Sequence, residues 1–448
     1  MSPTIAYRGT VLLLWGLAAW NAFTCRGLFW DGASFLANML ETQGFHDFYP
    51  ARAHIAWLTQ WPVLLLVRAG VRDTHLLAMV FSATLLAVPA ALYHLSLARV
   101  RQKGALLAAV IAVIGTVYMP TGFFIVGEYN IAYAAVTAVF AIALTGDRTS
   151  WRDGAMLLAL GLTCIASYEA MIYLGPLSAA VIAWSARRSR EPFGRLLAVA
   201  AALAFLGATV VSGSTVVEYW NHEHFVEVRG RVWQFWQNLQ FLVVLAGFAL
   251  IAVVALVSPS WLAGRGPVVA ALVTGAVLVS TPWFRQLVNP ESMIFPPAHY
   301  LARSAAGGLL AVLLSAMWLH VAWPEARWRL LAMLHRPMVA RRLATAMFVL
   351  VLAGAVPDVA LSRYWSDYLA WFRGIVTTRT GLVYADELPM RQWPQRLFAQ
   401  DWTYPALSVL VRSAPGQAIV VTRNDYKSNP PFDPSCGTVP ALVGFRWR

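Results

Sequence analysis

Of 448 residues, 59% are hydrophobic and only 12% are charged, about half the charged share of a soluble globular protein. A soluble enzyme, a disordered regulator and a nucleic-acid-binding domain are therefore poor readings. The net charge of +13 rests on arginines scattered between apolar runs, with Lys103 and Lys427 the only lysines, and no basic stripe for nucleic acid results. The class that remains is a polytopic membrane protein.

Apolar runs able to cross a bilayer fall at roughly 8–25, 75–97, 104–121, 130–146, 154–167, 170–186, 195–214, 238–258, 266–284, 304–323 and 341–358. About eleven transmembrane helices are expected, in an all-α domain covering residues 1–358. Loops on the N-terminal side of this pattern hold about twice the Arg and Lys of the opposite loops, although they are shorter, which puts the N-terminus in the cytoplasm. An odd number of spans then puts the C-terminus outside. No internal repeat is evident, so the inverted symmetry of many transporters gets no support.

The first external loop, about 26–74, holds Asp31, Glu41, Asp47 and Asp73. Asp31 stands in Leu28-Phe-Trp-Asp31-Gly-Ala-Ser-Phe-Leu, where the first run leaves the bilayer beside the interfacial anchor Trp30. A carboxylate at that depth is partly desolvated and needs a cation or hydrogen-bond donor nearby. Two readings stand: a helix N-cap, since a helix-forming stretch follows, or a functional acid. Further on, Ile55 to Val71 is apolar but interrupted by Gln60, Trp61, Pro62 and Arg68, which suits amphipathic helices lying in the interface better than a span.

Later loops add candidates in chain order. Gly127-Glu128-Tyr129-Asn130 and Ser167-Tyr168-Glu169 stand at external turns. His222-Glu-His224 invites a zinc reading, but histidines two apart do not share a helix face and no third ligand follows at a standard interval. Arg285 and Arg303 flank Pro296-Pro297-Ala-His299-Tyr300. Residues 359–448 are more polar, with a strand pattern at Gln417–Thr422 after a Pro-Gly turn, and are read as a small external domain of mixed helix and strand. Cys25 and Cys436 both fall on the external side, where a disulfide is one option; Cys164 reads as a small core residue.

Asp31 at the exit of the first helix, an amphipathic helix, Gly44-Phe-His-Asp47-Phe-Tyr-Pro50 and Pro62-Val-Leu-Leu-Leu together resemble the first periplasmic loop of GT-C-fold glycosyltransferases. Those are polytopic enzymes that use polyprenyl-phosphate sugars as donors. The similarity is sharpest over about 26–70, with weaker points in Trp402-Thr-Tyr-Pro and Pro431-Phe-Asp-Pro434. The resemblance implies a bacterial inner-membrane enzyme that moves a sugar from a polyprenyl-phosphate donor to a glycan or lipid acceptor on the periplasmic side. It maps the catalytic base onto Asp31 and an assisting acid onto Asp47, with Glu128 and Glu169 in the substrate cavity. An Asp-Asp or Asp-x-Asp pair near Asp31 is lacking, so a divalent cation such as Mg or Mn is left open as a cofactor.

The chemistry needs a carboxylate within about 3 Å of the acceptor hydroxyl and a cation for the leaving phosphate. Arg26, Arg52, His54, Arg229, Arg285, His299 and Arg303 are candidates for the second role, with Arg285 and Arg303 favoured. A transporter or flippase is the rival expectation. It would place paired charges in mid-span, whereas the acids here cluster at the external rim.

Overall fold

A computed structural model describes residues 2–46, 49–123, 126–146, 149–282, 298–323, 329–388, 398–399, 401–422, 442 and 444–448. Each apolar run carries a helix: Pro3–Phe23, Thr74–Val100, Gly104–Val113 (extended by a π-helical turn, Ile114–Tyr118), Tyr129–Thr145, Trp151–Cys164, Met171–Arg188, Pro192–Glu218, Leu239–Val257, Gly266–Ser280, Arg303–Ala322 and Pro337–Thr378. Among the described residues, five of these are long and apolar enough to cross a membrane: Thr74–Val100, Pro192–Glu218, Leu239–Val257, Arg303–Ala322 and Pro337–Thr378. Gly104–Tyr118, Tyr129–Thr145 and Gly266–Ser280 are apolar but shorter.

The outward faces are as apolar as the inside. Leu203, Val210, Leu256 and Val257 are 63%, 68%, 65% and 82% exposed, a surface that water would not tolerate and lipid does. The chain is thus an all-helical membrane protein with little sheet. Its centre is Tyr129–Thr145, whose residues from Tyr129 to Leu144 are all buried. Glycines let other helices approach closely: a Cβ at Gly154 would lie 2.8 Å from the Gly194 carbonyl oxygen, and one at Gly161 3.1 Å from that of Ala201.

The first loop joins the C-terminal end of Pro3–Phe23 to the N-terminal end of Thr74–Val100. It forms Asp31–Thr42 and Ala53–Arg68, the two amphipathic helices expected there. Ala53–Arg68 turns Trp57, Leu58, Trp61 and Leu65 outward. Gln60 is buried and holds the preceding loop, accepting from the His46 amide at 2.7 Å and donating to the His46 carbonyl at 2.9 Å.

The last long helix does not stop where the apolar run ends. Pro337–Thr378 continues through Pro357 for 42 residues, so the boundary drawn at 358/359 falls inside it. The physical reason is a second periodic stripe: Leu361, Trp365, Tyr368, Leu369, Phe372 and Val376 are buried at helical spacing, although Arg363, Ser366, Asp367 and Arg373 interrupt them. Beyond it, Leu382–Tyr384 and Ile419–Val421 pair in parallel, Leu382 opposite Ile419, which supplies the strand expected within 417–422. Helix Tyr404–Val411 packs on Asp31–Thr42. The tail is also tied to the bundle at Thr74, whose amide donates to the Arg446 carbonyl at 2.9 Å and whose hydroxyl donates to that of Leu410 at 2.6 Å.

Candidate functional site

The turn between the first two helices is tight. Cys25 and Trp30 both have positive φ, 52° and 59°, a conformation that is rare for a side chain as bulky as Trp and persists only where packing over-determines it. A Cβ at Gly32 would collide with the Gly27 carbonyl oxygen, so only glycine fits there. The packing that holds the turn is aromatic. Phe29 meets Phe123, Trp365 and Phe398 at 5.2, 5.5 and 5.7 Å between ring centres. Trp30 meets Trp402 at 4.8 Å and Tyr300 at 5.6 Å.

Asp31 is the first helical residue after this turn, and Trp30 occupies the N-cap position without a side-chain cap bond. The N-cap reading of Asp31 is therefore corrected. Its Oδ1 instead accepts a hydrogen bond from Trp402 Nε1 at 3.1 Å, and it stands in the first turn of the helix. The side chain is half-buried.

Beside it lies an acid-rich cluster built on one arginine. Arg52 ends a short turn, Pro50–Arg52. It donates to Glu169 Oε1 from Nε at 2.9 Å, lies 2.7 Å from it through Nη2, and reaches Glu128 Oε2 from Nη1 at 3.3 Å. Its guanidinium also covers Tyr49 at 5.1 Å and Tyr168 at 5.6 Å, a geometry worth some stabilisation of its own. Burial works against the Arg52 charge, but Glu169 and then Glu128 outweigh it, and its pKa is raised. For Glu128 burial dominates and raises the pKa; Arg52 offsets part of that rise, while Glu169 and Asp31 add to it. The two shifts fit the distances, since the close contact of Arg52 is with Glu169 and Glu128 is the less compensated acid.

Arg303 opens helix Arg303–Ala322, lies over the Tyr300 ring at 5.1 Å, and is within electrostatic range of Glu169, Arg52 and Tyr129. Among the described residues no carboxylate pairs with it directly. Arg231, which was not singled out from the sequence, donates to the Tyr300 hydroxyl at 2.8 Å.

The remaining candidates divide. His299 is buried against Phe123 at 5.8 Å, and its Nδ1 has no hydrogen-bond partner among the described residues. Burial, and next to it the Arg26 charge, lower its pKa to about 3, so it is a neutral imidazole near neutral pH. Arg26 is sealed inside the bundle. It donates to Asp358 Oδ1 at 2.8 Å, Ser362 Oγ at 3.1 Å and the carbonyls of Gly122 and Phe123 at 2.5 and 3.3 Å. Asn21 closes that network through Asp358 at 2.9 Å and Ser362 at 2.6 Å. His54 bonds the Leu162 carbonyl at 2.8 Å, and Arg229 lies over the Trp220 ring at 4.5 Å. Asp47, Arg285 and Cys436 lie outside the described residues. Cys25 is a buried free thiol, pushed up to about 12 by burial.

Among the described residues no group of three or more His, Cys, Asp or Glu has metal-binding geometry. Arg52 already occupies the position between Glu128 and Glu169 that a divalent cation would take, so these residues do not fit one. Sequence reasoning brought Asp31, Glu128, Glu169 and Arg303 to one end of the molecule, but it missed Trp402 as the partner of Asp31. The available signal was Trp402-Thr-Tyr-Pro in the tail, which the resemblance marked without saying what it meets. Comparison with known protein families, curated proteins and solved structures found no match to this chain.

Proposed function

We propose that this chain is a membrane glycosyltransferase of the GT-C type, taking a sugar from a polyprenyl-phosphate donor and passing it to a glycan or lipid acceptor on the periplasmic face of a bacterial inner membrane. About eleven spans, a cytoplasmic N-terminus and an external C-terminus belong to the same reading. The observation that carries it is the carboxylate of Asp31, held by Trp402 at the rim of the bundle, next to Trp30, whose ring meets Tyr300, with Arg303 over Tyr300 and Glu128 of the Arg52 cluster within electrostatic range.

The roles follow from charge and access. Asp31, in the first helical turn and bonded to the indole N–H, takes the proton of the acceptor hydroxyl as that oxygen attacks the anomeric carbon. The bond from that carbon to the donor phosphate breaks, and Arg303, which has no carboxylate partner among the described residues, meets the charge on the leaving phosphate. Glu128 and Glu169, held in place by Arg52, accept hydrogen bonds from sugar hydroxyls. The aromatic rings offer flat faces to the sugar, and a polytopic frame keeps a prenyl chain in hydrocarbon while its head reacts at the surface.

The test uses purified full-length protein with radiolabelled polyprenyl-phosphate sugars and an envelope extract as acceptor. Asp31→Asn should lower transfer by about 100- to 10,000-fold with an unchanged unfolding temperature. Full transfer by a folded Asp31→Asn protein, or donor movement in sealed vesicles with no acceptor needed, sinks the assignment.

A further inference from the structure

The end of the bundle opposite Asp31 holds a second hollow. Gly104–Val113, Leu239–Val257, Arg303–Ala322 and Pro337–Thr378 leave between them an apolar cavity of about 160 Å³, walled by residues such as Ala108, Ala112, Phe248, Ile251, Leu313 and Met347. Alanines on the Gly104–Val113 helix keep it open where larger side chains would fill it. A dry apolar space of about 150 Å³ is enough to take up a benzene-sized hydrocarbon.

This slot is not isolated. Ala105, Leu106, His320 and Leu334 line it and also line a second cavity of about 500 Å³ bordered by Gln102, Lys103, His335 and Arg341. The character changes from hydrocarbon to cation over that passage. Among the described residues no Asp or Glu lines the larger cavity, and neither Lys103 nor Arg341 forms an ion pair. Lys103 points its ammonium at the carbonyl of Thr145 at 3.0 Å, which fixes it without neutralising it. His335 stacks on His320 with ring centres 4.1 Å apart, and among the described residues the buried His320 Nδ1 has no hydrogen-bond partner.

We propose that slot and vestibule together form a binding site for an anionic phospholipid, one acyl chain in the apolar cavity and the phosphate headgroup among Lys103, His335 and Arg341. The site lies at the membrane face opposite the candidate active site and stands whether or not Asp31 is a base. An uncharged lipid would bring these cations no counter-charge, and a zwitterionic one would bring its own ammonium among them along with its phosphate. A free phosphate would leave the hydrocarbon slot unused. The concave, narrow shape also excludes a flat protein surface.

Native mass spectrometry of the full-length protein in maltoside detergent tests this, with dioleoylphosphatidylglycerol, dioleoylphosphatidylcholine and inorganic phosphate as probes. One phosphatidylglycerol should bind about tenfold or more tightly than phosphatidylcholine. Arg341→Gln, at an exposed position, should remove most of that preference without unfolding the protein. Ala109→Leu, which narrows the slot, should weaken phosphatidylglycerol several-fold while leaving the charge preference in place. Equal binding of the two lipids, displacement of the lipid by inorganic phosphate, or unchanged binding in both variants would overturn the proposal.

Discussion

Arg26 and Arg52 lie at the same end of the bundle, and each is a guanidinium held by carboxylate away from bulk water. Their surroundings differ in two ways. Arg26 is 1% exposed in its side chain and faces one acid, Asp358, at 10%, with backbone carbonyls, Ser362 and Asn21 completing its hydrogen bonds. Arg52 is 19% exposed and faces two acids, Glu128 and Glu169, with Asp31 close enough to act on Glu128. The first cluster is balanced and closed; the second has more acid than base and reaches the surface. A balanced, fully bonded buried pair holds helices together and offers nothing to a ligand. A surplus of carboxylate beside aromatic rings can receive hydroxyls and protons.

That contrast can be broken by substitution. Arg26→Ala should cost about 3–5 kcal/mol of stability, because Asp358 is left buried and unpaired; thermal unfolding in detergent reads it, and a shift no larger than that of an exposed arginine would remove the structural role assigned to the network. Arg52→Ala should destabilise less, since Glu169 keeps more access to water and the buried Glu128, whose pKa is already raised, can take up a proton, yet sugar transfer should fall by roughly 100-fold as the acids lose their geometry. If Arg52→Ala unfolds the protein while Arg26→Ala does not, the two clusters have been assigned the wrong way round.

A smaller effect sharpens the link between the tail and the first loop. Trp402→Phe keeps an aromatic ring beside Trp30 and removes the N–H that reaches Asp31 together with the five-membered part of the indole. Turnover should fall roughly tenfold or more, in line with the loss of one hydrogen bond to a charged group, and KM for the donor should change little. The pH dependence contributed by His299 tests the same end of the bundle by another route. Its pKa is lowered from 6.5 to about 3 in the folded protein, so between those values the unfolded chain binds the proton and the folded chain does not. Stability from this group is present above pH 6.5 and is lost as pH falls towards 3, by up to about 1.4 kcal/mol per pH unit. Unfolding temperatures of wild type and His299→Asn, compared from pH 7 to pH 4, should converge as the solution is acidified.

The sequence made the class and the helices plain because both are local properties. Each apolar run announces its own helix through length and hydropathy, and the two amphipathic helices of the first loop show in their interrupted apolar pattern. The run ending near residue 358 was misleading for the same reason: hydropathy detects lipid-facing length, and the helix beyond it is held by an aromatic stripe that faces protein, from Leu361 to Val376. The candidate acids could be named from position alone, yet their partners could not. Arg26 finds Asp358 across 332 residues, Arg52 finds Glu169 across 117, and Trp402 finds Asp31 across 371.

Composition and periodicity by themselves determined that this chain is helical, that it belongs in a bilayer, and that its acids gather at helix ends, because each follows from the transfer energy of short stretches taken one at a time. Only the tertiary structure decided which arginine is spent on holding helices together and which is left beside surplus carboxylate, and where alanine-rich walls leave a hollow under a basic rim. Those outcomes depend on how side chains distant in the chain meet at a few ångströms, where desolvation and pairing energies are large and no sequence spacing records them.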